Sequence, residues 1–69
     1  MIKQITIITA PGPKTYKVGQ KLAGGVVSTI KLDTLRFNGD PFSQYCGYSQ
    51  AGKLLFNVDP MCPHECEYL

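Results

Sequence analysis

The sequence predicts a small all-β barrel of five to six short antiparallel strands with one 3₁₀ turn. Three observations predict it. β-branched and aromatic residues gather in short runs, glycine, proline and Asn-Gly punctuation separates those runs at short intervals, and no segment sustains the 3.6-residue period of an amphipathic helix. A chain of 69 residues and 7.6 kDa is expected to form one domain spanning residues 1–69. Domains near this size bury only about 60% of the surface their unfolded chain exposes, so an elaborate multi-domain enzyme is excluded. At 43% hydrophobic and 17% charged residues the composition is that of a globular protein rather than a disordered or coiled-coil one.

The first strand lies in residues 2–9, Ile-Lys-Gln-Ile-Thr-Ile-Ile-Thr, where Ile5 and Ile7 share one face at period two. Ala10-Pro11-Gly12-Pro13-Lys14 then reads as a turn, because prolines withhold backbone donors from a ladder. Thr15 to Val18 is a short returning strand. Gly19, Gly24 and Gly25 bracket a loop with room for one helical turn. Val26 to Leu32 reads as the next strand, with Thr34 to Phe37 its neighbour across a tight break at Asp33. Asn38-Gly39 is a hairpin signal, since a type I′ turn needs positive φ at both central residues. Ser43 to Tyr48 and Lys53 to Val58 are strands around a turn at Ala51-Gly52. Asp59 to Pro63 is a proline-bounded turn with the 3₁₀ signature, and Glu65 to Leu69 closes the chain as an edge strand. Phe37 and Phe56 are the expected core aromatics.

This order of parts resembles SH3-like small barrels, in which a short 3₁₀ turn delivers the last strand back beside the first. The run Val18-Gly19-Gln20, Gly24-Gly25-Val26-Val27, Ile30, then Gly52-Lys53-Leu54-Leu55-Phe56 with a final acidic strand is also similar to short proteins carried by bacteriophages. That resemblance implies a role in interfering with a host process, by capping a host protein or by sequestering a small anionic, nucleotide-like signal. It transfers no site residues.

The net charge of +2 does not by itself argue for nucleic acid or membrane, but its distribution is lopsided. Residues 1–31 carry five lysines and no acid, whereas residues 32–69 carry two bases against five acids. Lys14, Lys17 and Lys21 flank the two glycine-bounded loops, where backbone amides are free to donate, so they are the candidate ligands for an anion. Tyr16, Tyr45 and Tyr48 are candidate stacking contacts, because small barrels with surface aromatics beside basic residues can stack bases. A nucleic-acid-binding barrel is therefore a second reading. Terminal strands leave edges that pairing protects, so a homo-oligomer is expected, with a ligand or partner at the subunit seam.

Catalytic and metal chemistry is thinly represented. Cys62-Pro63-His64-Glu65-Cys66, with Cys46, supplies the residue types of a Cys₃His zinc site and of a thiol nucleophile with its base. Single-residue gaps put i and i+2 about 6–7 Å apart in an extended strand, too far to share one metal comfortably. Zinc-stabilised structure is kept as a third reading, with Cys66 expected inward and His64 exposed. Thr9 to Thr15 mimics the tail of a phosphate-binding loop but lacks its first glycine and the donors that Pro11 and Pro13 delete. The expectation is a non-enzymatic binding module without cofactor. An odd cysteine number, no apolar stretch of membrane-spanning length and no signal-peptide pattern place it as a reduced, cytoplasmic chain.

Overall fold

The computed structural model describes all of residues 1–69. It is all-β. β1 (Ile2–Thr9), β2 (Gly12–Lys17), β5 (Thr29–Phe37), β6 (Asp40–Tyr48), β7 (Leu54–Val58) and β8 (His64–Tyr68) form one six-stranded antiparallel sheet, while β3 (Lys21–Leu22) and β4 (Gly25–Val26) form a separate small hairpin. β1 is the hub. One edge pairs β2 in the register Ile5 to Tyr16 and Ile7 to Lys14, and the other pairs β8, Ile5 to Cys66 and Ile7 to His64. A single bridge, Ile2 to Ile30, joins β1 to the meander β5-β6-β7 and lets the sheet curl into a half-barrel.

The curl collects the apolar side chains of alternate positions. Ile2, Ile5 and Ile7 from β1 meet Val27, Ile30, Phe56 and Val58, and Tyr16, Leu22, Tyr45, Leu55 and Cys66 pack around them. With no helix to cover either end, closure falls to an aromatic stack. The rings of Tyr16 on β2 and Phe56 on β7 lie with centroids 4.0 Å apart and planes inclined by 7°. The other side of Phe56 rests on Gly47, its cross-strand partner on β6, where an added Cβ would fall 1.9 Å from the ring. Glycine is required there by packing, since the ring occupies the volume any side chain would need.

Several local expectations are corrected. Gly19 to Gly25 holds no helical turn but the β3-β4 hairpin, paired Lys21 to Val26 and Leu22 to Gly25, with Gly24 at φ 99° in its turn. β2 begins at Gly12 and runs through Pro13. A two-residue turn closed by Thr9 and Gly12 makes Ile8 and Pro13 a non-hydrogen-bonded pair, so the missing proline donor points to the open edge and costs no ladder bond. The strand expected from Val26 starts instead at Thr29, and no break occurs at Asp33, because β5 is continuous to Phe37. Asp59 to Cys62 forms a hydrogen-bonded turn, with Cys62 N donating to Asp59 O at 3.0 Å and Met61 N to the Asp59 side chain, rather than a 3₁₀ helix. Phe37 is not core: it is 68% exposed, whereas Phe56 is buried. Asn38 and Gly39 do take positive φ, 52° and 84°, as their turn demands.

Replacing Phe56 with Ala is expected to destabilise the fold by about 3–5 kcal/mol, and Phe37→Ala by no more than about 0.5 kcal/mol, in chemical unfolding. Gly47→Ala should cost about 1–3 kcal/mol or more through overpacking against the same ring.

Candidate functional site

The Asn38-Gly39 turn fixes the register of the β5-β6 hairpin from Phe37 opposite Asp40 back to Thr29 opposite Tyr48. Only the base of this hairpin belongs to the barrel. Beyond Ile30 on β5, and before Tyr45 on β6, neither strand has a second ladder partner, so the far part stands out as a two-stranded ribbon.

Alternation assigns the ribbon's two faces. Ile30, Tyr45 and Gly47 face the core, so Lys31, Asp33, Leu35 and Phe37, with Phe42, Gln44, Cys46 and Tyr48, face outward. Near the barrel this outer face is polar and hydrogen-bonded. The Tyr48 hydroxyl donates to Asp33 Oδ2 at 2.7 Å, and Thr34 N donates to Asp33 Oδ1 at 2.9 Å. Lys31 Nζ lies 3.9 Å from Asp33 Oδ2 and 5.4 Å above the Tyr48 ring. Lys31, Asp33 and Tyr48, with Thr29, Ser49, Gln50 and Gly52, line an open groove of about 400 Å³. Toward the tip the same face becomes apolar, with Leu35 opposite Phe42 and then Phe37 beside Asp40.

The donors fix the protonation states. The Tyr48 hydroxyl and then the Thr34 amide hold the Asp33 carboxyl below its ordinary value, and the Asp33 carboxylate pushes the Tyr48 phenol well above its own. Asp33 is therefore an anion and Tyr48 a neutral donor at physiological pH. Cys46 is fully buried among these outward residues, its Sγ 3.7 Å from the Gln44 carbonyl, and burial raises its thiol pKa. It is a packed side chain rather than a nucleophile.

The residues singled out in the sequence are dispersed. Lys14 and Tyr16 share the inner face of β2, with Lys14 Nζ 5.2 Å over the Tyr16 ring, while Lys17 faces the opposite side and Lys21 belongs to the β3-β4 hairpin. Tyr16 stacks on Phe56, and Tyr45 packs against the core with its ring edge-on to His64 at 4.9 Å. Burial and the neighbouring Cys66 raise the Tyr45 phenol. Of the three tyrosines only Tyr48 belongs to the groove. Cys46 lies on the outer face of β6, Cys62 is exposed in a turn, Cys66 points into the core as expected, and His64 is half-buried rather than exposed, its Nδ1 2.7 Å from the Cys62 carbonyl. No three His, Cys, Asp or Glu side chains converge in a way that could hold a metal.

Two features of the groove are absent from the sequence reading, Asp33 and Lys31 as partners of Tyr48. The signal was present: counting back from Asn38-Gly39 places Lys31 and Asp33 on the same face as Tyr48, two and four pairs along the ladder from it. Comparison with protein-family models, curated proteins and solved structures returns no match in any of the three.

In an NMR titration the Asp33 carboxyl should titrate below the ordinary carboxylate range, and Tyr48→Phe should move it upward. The sign follows from the depressed value: the Tyr48-Asp33 bond is fully present above the ordinary carboxylate pKa and is lost as pH falls through the depressed one. An Asp33 that titrates normally in the native protein would show the bond absent in solution.

Proposed function

We propose that this chain is a non-enzymatic binding module whose β5-β6 ribbon docks a partner protein through its outer face. One observation carries the reading. Phe37, 68% exposed, stands with the half-buried Leu35 and Phe42 on a ribbon that contributes nothing to the barrel core beyond its base. An exposed aromatic seated on partly covered apolar neighbours and rimmed by polar groups is a mark of a protein interaction surface. Capping a host protein is the form of this reading that the phage resemblance suggests.

Docking by the face is favoured over pairing at the edges. With Phe37 and Asp40 closing a two-residue turn, Arg36 and Pro41 are a non-hydrogen-bonded pair, so the Pro41 nitrogen faces the open edge of β6 and offers no donor. On the β5 edge, the outward amide of Thr34 is already taken by Asp33 Oδ1. Both edges are thus blunted in the manner of strands kept from adventitious pairing. The alternative of a small anion held by Lys14, Lys17 and Lys21 draws less support, because β2 sends the first two to opposite faces.

A library of random extended peptides panned on the native protein tests the proposal. Enriched peptides are expected to lose binding to Phe37→Ser protein that melts at the native temperature. Enrichment of peptides indifferent to Phe37 would move the site elsewhere.

A further inference from the structure

The ribbon's outer face is patterned in charge as well as in polarity. Asp33 stands in the pair before Leu35-Phe42, and Asp40 stands in the pair after it, opposite Phe37. Two carboxylates therefore bracket one apolar cluster. Their pairs are four residues apart along β5, about 13 Å at the rise of an extended strand. Lys31 already shows the geometry a cation adopts at the first of them, 3.9 Å from the Asp33 carboxylate and 5.4 Å over the Tyr48 ring. Its side chain is 56% exposed and so loosely held. Asp33 is kept ionised by its two donors, and each carboxylate oxygen retains capacity for a further acceptor bond.

Building on the docking reading above, we infer that the ribbon recognises an extended protein segment in which an apolar side chain is flanked by two basic ones on the same face. In a strand, positions i, i+2 and i+4 share a face and span the same 13 Å or so. The apolar side chain seats on Leu35, Phe37 and Phe42. One basic group meets Asp40, and the other displaces Lys31 from Asp33 and the face of Tyr48, where carboxylate and aromatic ring together suit an ammonium or guanidinium. A second copy of this chain is a poor occupant. Its own basic pair at this spacing, Lys17 and Lys21, is interrupted by the turn at Val18-Gly19 and is not extended.

The test uses two synthetic peptides on the full chain, acetyl-Ser-Lys-Thr-Leu-Thr-Lys-Ser-amide and its counterpart with Glu at both Lys positions, followed by NMR shift titration at low salt. The Lys peptide is expected to bind about 10-fold more tightly than the Glu peptide, with shifts confined to residues 31–48 and a gap that narrows in 0.5 M salt. Asp33→Asn with Asp40→Asn should erase the preference. Lys31→Ala should strengthen the Lys peptide by removing its internal competitor. Equal binding of both peptides, lost together in Phe37→Ser, would overturn the charge inference and leave the docking surface standing. Binding unaffected by Phe37→Ser, or no binding of either peptide, would overturn the inference and count against the surface itself. If Lys31→Ala weakens the Lys peptide, Lys31 is not its competitor and the inference fails; if light scattering shows a dimer that Phe37→Ser dissolves, the occupant is a second copy and the inference fails.

Discussion

The placement of one ring decides the architecture of this chain. Phe56 lies between Gly47 beneath it and Tyr16 stacked above it, and those three residues come from β7, β6 and β2. β2 and β7 are the two ends of the principal strand path, so the stack joins the ends of a sheet that no helix covers. Few side chains share that work, because only nine of 69 residues are buried. In so small a core a single aromatic contact carries an unusual share of the stabilisation.

Closing the barrel between β2 and β7 leaves the long β5-β6 hairpin with more length than the barrel can use. Ile30 and Tyr45 mark where its neighbours stop. The surplus is not left as a generic hairpin. Pro41 and the Asp33-capped amide of Thr34 each remove one outward donor from its edges, and the apolar side chains are placed on the outer face between two carboxylates. The polar groove and the apolar tip are successive rows of one strand pair, so a segment laid along it meets a carboxylate, an apolar cluster and a second carboxylate in turn. The ribbon is a consequence of mismatched strand lengths.

Much of this was legible along the chain. The β1 alternation of Ile5 and Ile7 and the type I′ turn at Asn38-Gly39 are set by local chemistry, whereas the return of the last strand beside the first was implied by the resemblance to SH3-like barrels. The errors share a cause. Placing a break at Asp33 and Phe37 in the core both treat strand length as if it ended where burial ends, yet β5 continues past its last barrel partner to an exposed Phe37. How far a strand overruns its neighbours depends on the whole sheet, and periodicity within one strand does not record it. Pro13 misled for the converse reason, because whether a missing donor is tolerated depends on which edge of the strand is free. The dispersal of Lys14, Lys17 and Lys21 follows from register, whereas the Lys31, Asp33 and Tyr48 grouping was recoverable from the turn, since a two-residue hairpin fixes every pair that follows it.

Native-state hydrogen exchange distinguishes a ribbon that stands apart from the half-barrel core from one that belongs to it. The paired amides of Leu35, Phe37, Asp40 and Phe42 are expected to exchange through local opening, at a free energy well below that of global unfolding. Amides of Ile5, Ile7, Gly47 and Phe56 should exchange only with the whole fold. Ribbon amides protected to the same degree as those of the barrel would contradict it, because the hairpin would then be part of the cooperative core.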